Sequence, residues 1–253
     1  MATSTAAPAA FLAALRSPAA EPPAAGLPGW LWRLATAVHG ELPPPYADAW
    51  ATRLHGLLGT AGVPAGLRAV HVWQADTVLP LLARTSDQPV PVPAPSPSPS
   101  PSPSPSPAEL HRAAARGAPA DRAAWRSALG PSLLRLYEAA YDRASAYAEG
   151  HAGARDYALA NGYAEAEADA YGHEYARLSS EANARAFAEA HARAVGAALA
   201  AAYAADDARA YADTFPEAQL RAVVRATATG GEERRTRLLL ADGLLTALTA
   251  PRP

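Results

Sequence analysis

The sequence predicts an all-α fold: an alanine-rich helical bundle with long helices, a disordered N-terminal tail and a Pro-Ser tract. Three observations carry that prediction. Ala, Glu and Arg, strong helix formers and poor strand formers, dominate the chain after position 130. Large apolar residues recur three and four positions apart, the spacing of one helix face. Gly and Pro stand between these periodic stretches, where helices start and stop.

Taken in order, residues 1–28 are rich in Ala and Pro and read as a disordered tail. Residues 29–85 form an N-terminal helical region. Trp30, Leu31, Leu34 and Val38 make its first face, and Tyr46, Trp50, Leu54, Leu57 and Leu58 the second, after Pro43-Pro44-Pro45. A shorter element passes through Leu67, Val70 and Val72, and a last one covers Trp73 to Ala83 with a kink or restart at Pro80. Residues 86–108 are a disordered Pro-Ser linker, whose alternating tract from Pro89 to Pro107 is an extended polyproline II segment of roughly 59 Å at full stretch. Alternating Pro and Ser reads as a plain spacer rather than a docking motif.

Residues 109–250 form a C-terminal helical region. Asp121 opens a helix carrying Trp125 and Leu129, which Gly130-Pro131 is expected to end. Ser132 then caps a long helix running to Asn161-Gly162, with Tyr163 to Ala205 as the next. Asp206-Asp207 open a short helix, Thr214 and Glu217 frame another, and Leu240, Leu244, Leu245 and Leu248 line the last. Alanine at every second position from Ala182 to Ala194 mimics strand alternation. Glu181 with Arg185 and Glu189 with Arg193 are, however, spaced as helical ion pairs. The regions 29–85 and 109–250 are expected to pack as one composite domain, with a small bundle on a tether as the alternative.

Composition excludes several chemistries. All 22 basic residues are arginine and cysteine is absent, so Schiff-base lysine, Walker-type lysine, thiol nucleophile and disulfide are ruled out. A formal charge of −2 gives no global basic field for nucleic acid. The apolar run Ala194–Ala205 is too short to span a bilayer, and the N-terminus lacks a basic leader. The expectation is a cytoplasmic protein with no nucleic-acid and no membrane partner.

Motifs yield no catalytic residues, no cofactor and no metal site. His173-Glu174-Tyr175-Ala176-Arg177 has arginine where a zinc protease needs its second histidine. Asp169 and His173, four apart, read as a surface hydrogen bond, and Glu165, Glu167 and Asp169 diverge around a helix. Gly56, Gly59 and Gly62 follow a helix rather than a strand and so do not form a dinucleotide loop. Arg234, Arg235 and Arg237 adjoin Glu232 and Glu233, which weakens a phosphate reading. Tyr137, Tyr141, Tyr147, Tyr157, Tyr163, Tyr171, Tyr175, Tyr203 and Tyr211 all fall in the alanine-rich region. They are either space-fillers between alanine faces or the lining of a hydroxyl-edged groove.

The stretches ARDYALANGYAEAEADAYGHEYARL at 154–178 and HVWQADTVLPLLAR at 71–84 resemble alanine-rich actinobacterial proteins labelled SpcZ. The resemblance implies a link to aminocyclitol secondary metabolism and no particular activity or residue role. With no catalytic set, the sequence points to a non-catalytic interaction or accessory protein, whose exposed alanine faces pack on a protein partner or a second copy. The alternative is a small-molecule-binding protein or enzyme with a Tyr-lined pocket.

Overall fold

Large apolar side chains are concentrated outside the stretch 142–190, and the packing divides accordingly. The computed structural model describes residues 8–17, 27–60, 66–85, 105–141, 143–214, 216–227 and 232–251. Among these there are twelve α-helices and no strand. They are α1 (Pro8–Arg16), α2 (Gly29–Glu41), α3 (Pro44–Thr60), α4 (Arg68–Trp73), α5 (Leu79–Thr85), α6 (Pro107–Ala115) and α7 (Arg122–Ala140). The rest are α8 (Arg143–Ala160), α9 (Glu165–Ala205), α10 (Ala208–Thr214), α11 (Pro216–Thr227) and α12 (Glu233–Thr249).

The body holds one contiguous core, built on all five tryptophans, each buried. Trp50 on α3 donates its indole N–H to the carbonyl of Ala241 (2.9 Å), and Trp73 on α4 donates to Leu240 (3.0 Å). Two indoles therefore fasten the N-terminal helices to successive carbonyls of α12, satisfying polar handles that burial would otherwise penalise. Helices α10 and α11 cover α2, and α6 lies on α4.

Within the segment read as a tail, Pro8–Arg16 is helical and buries Phe11 and Leu15 against α2 and α3. Two large apolar residues four apart outweigh the Ala-Pro surroundings there. Residues 1–7 and 18–26 lie outside the described residues, as do 86–104 of the Pro-Ser linker. Ser106 and Glu109 form a capping box at the start of α6, with the Ser106 N–H donating to Glu109 Oε2 at 2.7 Å.

Two further boundaries differ from the sequence reading. A π-helical turn, Gln74–Val78, joins α4 to α5 into one rod. Pro80 has no N–H and its ring crowds the carbonyl four residues back, and the wider turn ahead of it relieves both demands. Likewise α7 runs straight through Gly130-Pro131. Gly130 offers no Cβ to clash with the proline ring, and Leu129, Leu133, Leu136, Tyr137 and Ala140 hold the face on either side in the core. The break falls at Tyr141, so Ser132 lies inside a helix.

The 41-residue α9 belongs to two layers. Its second half packs on α7 through Ala188, Ala192, Val195 and Leu199, and its first half on α8. Helix α8 leans on no other element to a comparable extent. Together, α8 and the start of α9 form a two-helix arm. The arm turns at Gly162 (φ +86°), where the Tyr163 N–H reaches the carbonyl of Ala158 (3.2 Å).

Candidate functional site

The arm is zipped by small residues at every fourth position. On α8 these are Ala146, Gly150, Ala154 and Ala158, and on α9 Ala168, Gly172, Ala176 and Ser180. A Cβ on Gly150 would sit 3.6 Å from the Ala176 backbone, and one on Gly172 only 2.9 Å from the His151 carbonyl oxygen. Backbones this close leave no room for large side chains at the seam, so the residues beside it turn outward on two flanks.

One flank is aromatic. Tyr157, Tyr171, Tyr175 and Phe187, each 41–62 % exposed, line an open groove of about 450 Å³ with Glu149 and Asn183 at its polar edge. Leu178, 68 % exposed, adds to the apolar surface of the arm. The tyrosines thus divide by location. Tyr137, Tyr203 and Tyr211 are core, and Tyr157, Tyr163, Tyr171 and Tyr175 lie on the arm's surface.

The other flank carries Tyr147, His151 and Arg155 on α8, facing Asp169 and His173 on α9. His151 Nε2 lies 3.2 Å from Asp169 Oδ1, and His173 Nε2 lies 3.5 Å from Asp169 Oδ2. The imidazole centroids are 4.2 Å apart, and Tyr147 Oη is 2.9 Å from His173 Nδ1. The i,i+4 pairing of Asp169 with His173 expected from sequence is present. Sequence reasoning missed His151, which the hairpin brings across from α8. The carboxylates near the start of α9 do diverge: Glu165 pairs with Arg155 (3.2 Å) and Glu167 accepts the Ala164 N–H.

A third cluster is sealed inside the body. His71 and His111 meet Nδ1 to Nδ1 at 2.9 Å, enclosed by Trp125 and Tyr203 with ring centroids 4.8–5.7 Å away. Burial lowers the His71 pKa to about 4, opposed by the charge of Asp206. His111 falls well below its usual value through burial first and His71 second. Both are therefore neutral near pH 7, one donating from Nδ1 and the other accepting. Burial likewise raises the phenols of Tyr203 and Tyr211. These groups hold a core together.

The remaining candidates are occupied by internal contacts. Arg234 lies over the Tyr46 ring, Arg235 pairs with Glu232, and Arg237 with Glu233 and Glu41. A groove of about 520 Å³ beside α1–α3 is edged by Arg16, Asp48, Glu41 and Arg221, which are already paired with one another or with Glu217. Among the described residues no helix is long and apolar enough to cross a membrane. No protein-family model, curated protein or solved structure matches the chain.

Proposed function

We propose that the chain is a non-catalytic helical interaction protein of the cytoplasm, and that the arm formed by α8 and the first half of α9 docks an amphipathic helix of a partner protein. The supporting observation is the aromatic flank itself. Tyr157, Tyr171, Tyr175 and Phe187 stay exposed on the arm, whose helix α8 packs chiefly on α9. Exposed large apolar groups collected on one face mark interaction surfaces, and Tyr is enriched where such surfaces bind.

Charge chooses between a second copy and a different protein. Residues 143–189 carry eight carboxylates against four arginines. Two such arms would repel one another, whereas a helix with a basic rim is attracted. Alanines such as Ala148, Ala152, Ala160, Ala164, Ala166 and Ala170 are also exposed on the arm, but each offers little apolar area, so the aromatic side chains anchor the docking face. The resemblance of 154–178 to SpcZ proteins supports a place in secondary metabolism for the complex.

Co-purification from the native cell tests this reading, with wild type compared against Tyr157→Ser/Tyr175→Ser/Phe187→Ser. The expected result is a protein lost from the variant that rebinds the purified chain and contains a basic amphipathic helix. A chain that sediments as a monomer and loses no companion on substitution would refute it. The groove also has the volume of a small-molecule site with phenolic hydroxyls at its edge. A saturable thermal shift with an aminocyclitol, weakened by Tyr171→Phe, would favour that second reading.

A further inference from the structure

We propose that the second flank of the arm binds a divalent transition-metal ion of the Zn²⁺ class through His151, His173 and Asp169, joining α8 to α9. One ligand atom from each residue lies within 4.8 Å of the other two. Zinc–nitrogen and zinc–oxygen bonds of about 2.0–2.1 Å place tetrahedral ligands about 3.3 Å apart. His151 Nε2 lies 3.2 Å from Asp169 Oδ1 and His173 Nε2 lies 3.5 Å from the other carboxylate oxygen, Oδ2, each close to that edge. Small rotations about the side-chain bonds close the rest.

Three details of the site favour an ion over a simple hydrogen-bonded cluster. His151 Nε2 is shut off from solvent and makes no hydrogen bond, although Asp169 Oδ1 lies 3.2 Å away. A buried imidazole nitrogen without a partner is costly, and a metal ion would supply one. Tyr147 Oη sits at the far nitrogen of His173. With an ion on Nε2, the Tyr147 oxygen would accept the Nδ1–H, an outer-shell hydrogen bond that orients a ligating histidine. Finally, Gly172 lets His151 come in close: a Cβ would lie 3.0 Å from its ring Cδ2.

Arg155 stands beside the site, with Nε 3.7 Å from Asp169 Oδ1 and its terminal nitrogen held by Glu165 at 3.2 Å, and Arg177, near Tyr147, is paired with Glu174. Asp169, Glu165 and Glu174 outnumber Arg155 and Arg177, which leaves the flank receptive to a cation. Imidazole and carboxylate without thiolate suit Zn²⁺, Co²⁺ or Ni²⁺ better than Mg²⁺ or Ca²⁺. With three protein ligands, a coordination position stays open to water.

Calorimetric titration of the full chain with ZnCl₂, and visible absorption with Co²⁺ as a coordination probe, test the proposal. A single equivalent should bind with micromolar affinity, and Co²⁺ should give a tetrahedral spectrum. His151→Gln/His173→Gln should abolish both, and Tyr147→Phe should weaken binding about tenfold. His39→Gln/His191→Gln should bind as wild type does. Absence of heat and spectrum in wild type would overturn the proposal, as would undiminished binding by the His151→Gln/His173→Gln variant. Asp169→Asn and Gly172→Ala each disturb the same site on their own. If the double variant loses helix content, full-strength binding by both of these would overturn the proposal equally.

Discussion

Acidification should destabilise this protein well before its carboxylates begin to protonate, because of the paired histidines in its core. The unfolded chain binds protons at His71 with a pKa near 6.5, while the folded chain resists them down to about 4. Between those values the unfolded state holds more protons, so stability is full above about pH 6.5 and falls as the pH drops. The full gap is worth about 3 kcal/mol. Lowering the pH from about 7.5 to about 5 draws on about 2 kcal/mol of it from His71 alone. His111 adds in the same direction, since it too is lowered by burial. Against a total stability of about 5–15 kcal/mol the loss is large, equivalent to roughly 4–8 °C in Tm.

Urea unfolding followed by tryptophan fluorescence at the two pH values measures it. The control is His71→Phe/His111→Phe, which keeps two rings beside Trp125 and Tyr203 and removes both titrating groups together. His39, also lowered by burial but nearer the surface, remains in both proteins. The double variant should lose at least about 2 kcal/mol less than wild type on acidification. Equal losses in the two proteins, or a flat wild-type profile down to about pH 5, would refute the argument.

Gly243→Ala should destabilise by about 1–3 kcal/mol despite the better helix propensity of alanine, because the new methyl falls inside the shells of Thr77 Oγ1 and Cγ2 on the π-helical turn. Chemical denaturation checks the sign, and Thr77→Ala should restore part of the loss. Trp50→Phe and Trp73→Phe each free a carbonyl on α12, at Ala241 and Leu240, and should each cost about 1–2 kcal/mol in the same assay. Arg53→Ala removes an exposed 2.7 Å pair with Asp242 and should change stability by less than about 1 kcal/mol, falling with salt.

Helix content and the buried faces of α2 and α12 are readable because large apolar residues recur there at helical spacing, as are Trp50 and Leu54 on α3 and Trp125 and Leu129 on α7. Helix ends at proline are not. Pro131 reads as a stop and Pro80 as a kink or restart, and tertiary packing on both sides carries the helix through them. Phe11 and Leu15 were hidden for a similar reason: a pair of residues is a weak pattern until α2 and α3 are there to receive it. Of the His flank, Asp169 and His173 were visible as neighbours on one helix, while His151 is brought in by the hairpin register. That register leaves a trace in the sequence. Small residues stand at every fourth position from Ala146 to Ala158 and from Ala168 to Ser180, and folding the two series about Gly162 places His151 opposite Gly172.

The two flanks of the arm are products of that one seam. Alanine and glycine draw α8 and α9 together, but each buries little apolar area, so the seam holds the helices with less than a leucine core would. Its residues stand apart from the contiguous core, which takes in α9 only from Ala188 onward. The arm can therefore loosen while the body stays folded. The same closeness turns Tyr157, Tyr171 and Tyr175 outward on one side and carries His151 to within 3.2 Å of Asp169 on the other. A bulky residue in the seam, such as Ala176→Leu, should splay the arm and remove metal binding and partner docking together. A change on one flank, such as Tyr147→Phe or Tyr175→Ser, should remove one and leave the other. Separable losses from the flanks and a joint loss from the seam would identify the small-residue zipper as the element that shapes both surfaces.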